Sequence, residues 1–146
     1  MNVSLIESLV PKHHTLDREW QPLSIHSQAK IYDANPRYQQ LSEIIRNLRD
    51  ELHLINPKPA QLNNAMIDHL VFNCPLYLIQ GNDWSLIVLD VIDYFIEHLD
   101  PLLFIPQFFI RMDRQAPLFP NNEGFDEFDT YSFFQQLQHV SYNELS

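Results

Sequence analysis

A chain of 146 residues has the length for one domain and too little for two well-cored ones. Hydrophobic residues make up 45% and aromatic residues 12%, enough for a core and too much for pervasive disorder. A formal charge of −10, with no Lys/Arg block, denies duplex nucleic acid and anionic membranes the basic footprint they need, so neither is expected as a partner.

In chain order, "MNVSLIESLV" has neither a basic opening nor a long apolar stretch, so no secretory signal is expected and the cytoplasm is the expected compartment. Residues 3–10 have the pattern of a short helix ending before Pro11. The stretch "KHHTLDREWQPLSIHSQAKIYD" holds no sustained period. It predicts an extended arm over residues 1–34, anchored on the body by Trp20, Leu23, Ile25 and Ile31. In "NPRYQQLSEIIRNLRDEL", Asn35 suits an N-cap and Pro36 the first helical position, and Tyr38, Leu41, Ile44, Ile45, Leu48 and Leu52 recur at helical spacing.

The next helix lies in "PAQLNNAMIDHLVFNCPL", with Leu62, Met66, Ile67, Leu70, Val71 and Cys74 on its apolar side and Pro75 as its stop. A third runs from Trp84 to about Leu99, with Asn82 or Asp83 as cap. It is apolar nearly all round, the pattern of a buried central helix, apart from a stripe of Asp90, Asp93 and Glu97. Those acids, and its length, keep it from spanning a bilayer. "PLLFIPQFFIRMDRQAPLF" is broken by Pro106 and reads as a short strand or extended crossing segment near 108–119. "NNEGFDEFD" reads as an acidic, solvated turn. The last helix is expected from about Thr130 to Val140, on Tyr131, Phe133, Phe134 and Leu137. The fold class predicted is mainly α: one helical bundle domain over 35–140, with the N-terminal arm and a tail at 141–146.

The chemistry-bearing residues exclude more than they select. Two glycines, Gly81 and Gly124, leave no Gly-rich phosphate cradle. A single cysteine, Cys74, rules out an intramolecular disulfide and any cysteine-built metal site; inside an apolar helical pattern it reads as a buried, inert thiol. The seven histidines include no HExxH and no helical His-x-x-x-His pair, and the neighbours His13 and His14 do not converge readily on one ion, so no metal is expected. Asp90, Asp93 and Glu97 share a face that would suit a divalent ion or acid–base work, set against the commoner solvated stripe. Glu123, Asp126, Glu127 and Asp129 do not fit a calcium loop. Arg46 and Arg49, with Arg37 further back, form a cationic edge toward the helix start at Asn63 and Asn64. Such an edge suits phosphate or carboxylate, unless the arginines pair with Glu43, Asp50 and Glu51.

The succession "IIRNLRDEL", "QLNNAMIDHLV", "LIQGNDWSLIVLDVIDYFIEHL", "RMDRQAPLF" and "FDTYSFFQQL" resembles the helical C-terminal half of bacterial nucleotidyltransferases, in the cyclic-oligonucleotide-synthase branch of the polymerase-β-like superfamily, over residues 30–140. The resemblance implies that Arg46 stands where the family has a lysine, Asn64 at its serine, Ala65 at its aromatic residue and Asp68 at its glutamate. Together with Arg49 and Asn63 from the cationic edge, the candidate ligand-binding set is Arg46, Arg49, Asn63, Asn64 and Asp68. The family's catalytic Gly-Ser loop and strand-borne carboxylates are missing from this sequence, so nucleotide transfer is not expected. The expectation is a non-catalytic helical binding domain acting through protein–protein interaction, without a cofactor. Its partner would be a separate catalytic subunit, another protein or a second copy. The alternative is an autonomous nucleotide-sensing module, and a carboxylate enzyme at Asp90, Asp93 and Glu97 is the third reading.

Overall fold

The computed structural model describes residues 26–58, 61–102, 109–112, 117–119 and 126–145, with side chains described as far as Val140. The helices are α1 (described over 26–34), α2 (Arg37–Ile55), α3 (Asn64–Phe72), α4 (Trp84–Leu99) and α5 (Glu127–Leu145), with one 3-10 turn at Leu76–Leu78. Among the described residues there is no strand. Of the segment expected to be extended near 108–119, the described residues carry an isolated antiparallel bridge between Ile110 and Pro117, beside a 2.8 Å bond from Leu118 N–H to Phe109 O. Among the described residues no helix is long and apolar enough to cross a membrane.

The arm is the first correction. Its described end, residues 26–34, is helical, because Ala29, Ile31 and Tyr32 pack on the core together. The Tyr32 ring sits 5.1 Å from Tyr38 and 5.3 Å from Phe72. Residues 1–25, with the helix expected at 3–10 and the anchors Trp20, Leu23 and Ile25, lie outside the described residues. This helix also changes the role of Asn35, whose side-chain amide donates back to Ile31 O at 2.7 Å and so closes α1 rather than capping α2. Pro36, φ −63°, takes the cap position of α2 with no side-chain bond.

Gln28 ties α1 to the far end of α3. Its amide donates to Phe72 O at 2.8 Å, Cys74 O at 3.1 Å and the Tyr38 hydroxyl at 3.1 Å. Tyr38 in turn donates to Cys74 O at 2.7 Å. A helix ends with carbonyls that have no partner of their own, and these two side chains satisfy those at the end of α3. Burial, above all, pushes the Tyr38 phenol up to about 12.

The apolar pattern expected for α3 is the one observed, with Leu62, Met66, Ile67, Leu70, Val71 and Cys74 all buried. Helix α4 spans the residues its period predicts and is capped by Asp83, whose carboxylate accepts from Ser85 N–H at 3.0 Å. It is less enclosed than its composition suggests. Ile87, Val88, Val91, Ile92, Phe95 and Leu99 are buried, while Leu86 is 59% exposed. Its inner face packs mainly on α5, where Phe95 stacks on Phe134 at 4.7 Å and Phe133, Phe134 and Leu137 are fully buried. Phe109 joins this cluster, 6.1 Å from Phe95 and 6.0 Å from Phe119.

The last helix is longer than its sequence period, beginning at Glu127 and including most of the expected tail. The supposed acidic turn supplies its start. Asp126 Oδ1 accepts from Asp129 N–H at 2.8 Å, and Asp129 Oδ2 accepts from Asp126 N–H at 3.3 Å. This reciprocal pair satisfies amides that a new helix leaves open, with both carboxylates at its positive end.

Candidate functional site

The five residues singled out by sequence meet on one edge, where α2 packs against α3. Helical spacing brings Arg46 and Arg49 to the same side of α2, and Asn64 and Asp68 to the same side of α3. Arg46 Nη1 lies 2.8 Å from Asp68 Oδ1, and Arg49 Nη1 lies 2.7 Å from Asn64 Oδ1. The later residue of α2 thus meets the earlier residue of α3, so the helices run in opposing senses and the two contacts form rungs between them. Asn63 stands just before α3, and its Oδ1 accepts from Met66 N–H at 2.8 Å as an N-cap.

The electrostatics of this edge are largely internal. Arg49 also donates from Nη1 to Leu62 O at 3.0 Å and forms an ion pair with Asp50 at 3.0 Å. Arg46 and Asp68 retain 29% and 36% side-chain exposure, which places their ion pair at the solvent boundary. A phosphate arriving here would compete with Asp68 for Arg46, and with Leu62 O, Asn64 and Asp50 for Arg49. In chemical terms the edge is a satisfied inter-helix ladder with polar atoms at its rim.

Arg37 does not join it. Its guanidinium donates to Ile79 O at 2.5 Å and Gly81 O at 2.6 Å, and lies 4.5 Å over the Trp84 ring. It therefore fastens the loop before α4 to the start of α2. Asp90, Asp93 and Glu97 are exposed on α4, and Asp93 accepts from Gln138 of α5 at 2.7 Å. Among the described residues no three His, Cys, Asp or Glu side chains are grouped to hold a metal ion. Glu123 lies outside the described residues. Cys74 is fully buried, which pushes its thiol far up from its ordinary range.

The sequence period passes over a second polar constellation, on the flank of α3. Asn73 Oδ1 accepts from Ile110 N–H at 2.9 Å, while its Nδ2 donates to Ile110 O at 2.8 Å and His69 O at 2.7 Å. One side-chain amide thereby does for Ile110 what a neighbouring strand would do. One turn back, buried His69 accepts from Met112 N–H at Nδ1, 3.1 Å away. The one hint of this in the sequence is that His69 and Asn73 stand four apart, so both project from the same flank of α3.

No protein-family model, curated protein or solved structure matches the chain.

Proposed function

We propose that this chain is a non-catalytic helical binding domain that works by protein–protein contact, on the plan of the accessory half of a nucleotidyltransferase. The observation that carries this reading is the contrast along α2. Arg46 and Arg49 are engaged by groups of the chain itself, whereas Leu54 and Ile55, adjacent at the end of the same helix, are 85% and 69% exposed. Neighbouring large apolar residues held in water favour a macromolecular contact over a small anionic ligand. A cytoplasmic location and a separately encoded catalytic subunit as partner belong to the same proposal.

The test uses the immobilised chain against extract from its source cells, with Leu54→Glu/Ile55→Glu beside the wild type. The same captured protein should be lost from the double variant while circular dichroism stays native. Sedimentation of the two proteins across concentration separates capture from self-association. Capture indifferent to both substitutions would remove the assigned surface.

A second reading, nucleotide sensing, draws on the convergence of Arg46, Arg49, Asn63, Asn64 and Asp68 beside the start of α3. A nucleotide at a hundred times its dissociation constant would add about 2.7 kcal/mol, or roughly 5–10 °C in midpoint for a chain of this size. A shift of that kind abolished by Arg46→Ala would establish this reading over the first. A flat panel would retire it.

A further inference from the structure

The strap formed by residues 109–112 is tied to α3 by the side chains of His69 and Asn73, and one of these changes its hydrogen-bonding sense with pH. Met112 N–H can only donate, so His69 Nδ1, 3.1 Å away, must carry a lone pair, and the closed strap requires the neutral imidazole with its proton on Nε2. We propose that His69 is a pH-sensitive latch: protonation at Nδ1 turns the acceptor into a donor, breaks the Met112 contact and favours release of the strap from α3.

Among the described residues, charged groups of α2 and α3 are paired with one another. Asp68, the neighbour of His69 on α3, is paired with Arg46 of α2, and Arg49 of α2 is occupied with Asp50 and Asn64. His69 is 7% exposed, and burial disfavours the imidazolium. An imidazole in water takes up its proton near pH 6.5. The neutral imidazole that the closed strap needs therefore predominates above that pH, and below it the released, protonated state gains roughly tenfold in population per pH unit. Asn73 sets the limit of this effect. Its bonds to Ile110 carry no titrating group, so they oppose release at every pH.

The experiment is amide hydrogen exchange on the full chain from pH 7.5 to pH 5, normalised to the intrinsic exchange rate at each pH. In the wild type, protection of the Met112 amide should fall about tenfold per unit below pH 6.5, with Ile110 following. His69→Asn places an amide oxygen near the Nδ1 position and cannot titrate, so its Met112 protection should stay level. Flat protection in the wild type, or an equal fall in His69→Asn, overturns the proposal. Imidazole 15N resonances of the wild type supply a readout that needs no variant. Nδ1 should be unprotonated at pH 7.5, and any gain of its proton at lower pH should come with loss of Met112 protection. Protonation that leaves Met112 protection unchanged also overturns it.

Discussion

Asn73→Ala is the substitution whose consequence the structure fixes most tightly. The amide makes three bonds, two of them, at 2.8 and 2.9 Å, to the backbone of Ile110. Truncation strands the N–H and the C=O of Ile110. A buried polar group left without its partner costs about 1–3 kcal/mol. Asn73 is only half-buried, so water can reach the gap and the lower end of that range applies. Two groups then cost roughly 2–3 kcal/mol, or about 6–10 °C in midpoint for a chain of this size. Urea unfolding followed by circular dichroism should show an earlier midpoint with an unchanged slope. Asn73→Asp sharpens the test. It keeps an acceptor for Ile110 N–H but sets a carboxylate against Ile110 O and His69 O, so at neutral pH it should be at least as destabilising. A loss below about 1 kcal/mol for Asn73→Ala, or Asn73→Asp as stable as wild type, would refute this account.

Ser42 is fully buried on α2 and its hydroxyl has no hydrogen-bond partner among the described residues, so Ser42→Ala should stabilise the protein by about 1 kcal/mol; a lower midpoint in calorimetry would contradict that. The Arg46–Asp68 rung lies at the solvent boundary, and a double-mutant cycle with Arg46→Ala and Asp68→Ala should return a coupling below about 1 kcal/mol; a coupling above twice that would show a stiffer site. Tyr38 ionises at about 12 in the folded state against about 10 in an unfolded chain. It therefore contributes stability that is fully present below pH 10 and is lost as pH rises through 12, so phenolate absorbance should lag in the native protein and Tyr38→Phe should flatten that part of the alkaline stability profile. Cys74 should react with a disulfide reagent only as fast as the chain opens, and immediate modification under native conditions would contradict its burial.

What the sequence made legible was periodicity. Leu62, Met66, Ile67, Leu70, Val71 and Cys74 could be assigned to one buried face because a helix places them there whatever it packs against. The bounds of α4 were legible for a similar reason, since Asp83 is a strong local start and Pro101 follows its end. The site was legible as a meeting place: spacing alone turns Arg46 and Arg49 toward Asn64 and Asp68. It was not legible as a ladder, because one step along either helix would decide whether those groups satisfy each other or a ligand. Asn35 and the acids at 126–129 show the other limit. Asn35 reads as the cap of α2 and the acids as a solvated turn, but what Asn35 closes depends on a helix before it, and what the acids open depends on where α5 finds its core. Asn73 and His69 were the least visible, since their partners lie 37 and 43 residues further along.

The reach of Gln28 decides where this protein can be cut. Helical periodicity becomes obvious at Asn35, and that is where an expression fragment would naturally be started. Such a fragment would leave Phe72 O and Cys74 O without the amide that spans 44 and 46 residues to meet them, and would expose the side of Tyr38 and Phe72 that Tyr32 now covers. The damage would fall in the middle of the chain, at the end of α3, far from the cut in sequence. Fragments meant for crystallisation or for display of the α2–α3 edge should therefore begin upstream of His26, with the seam placed outside α1.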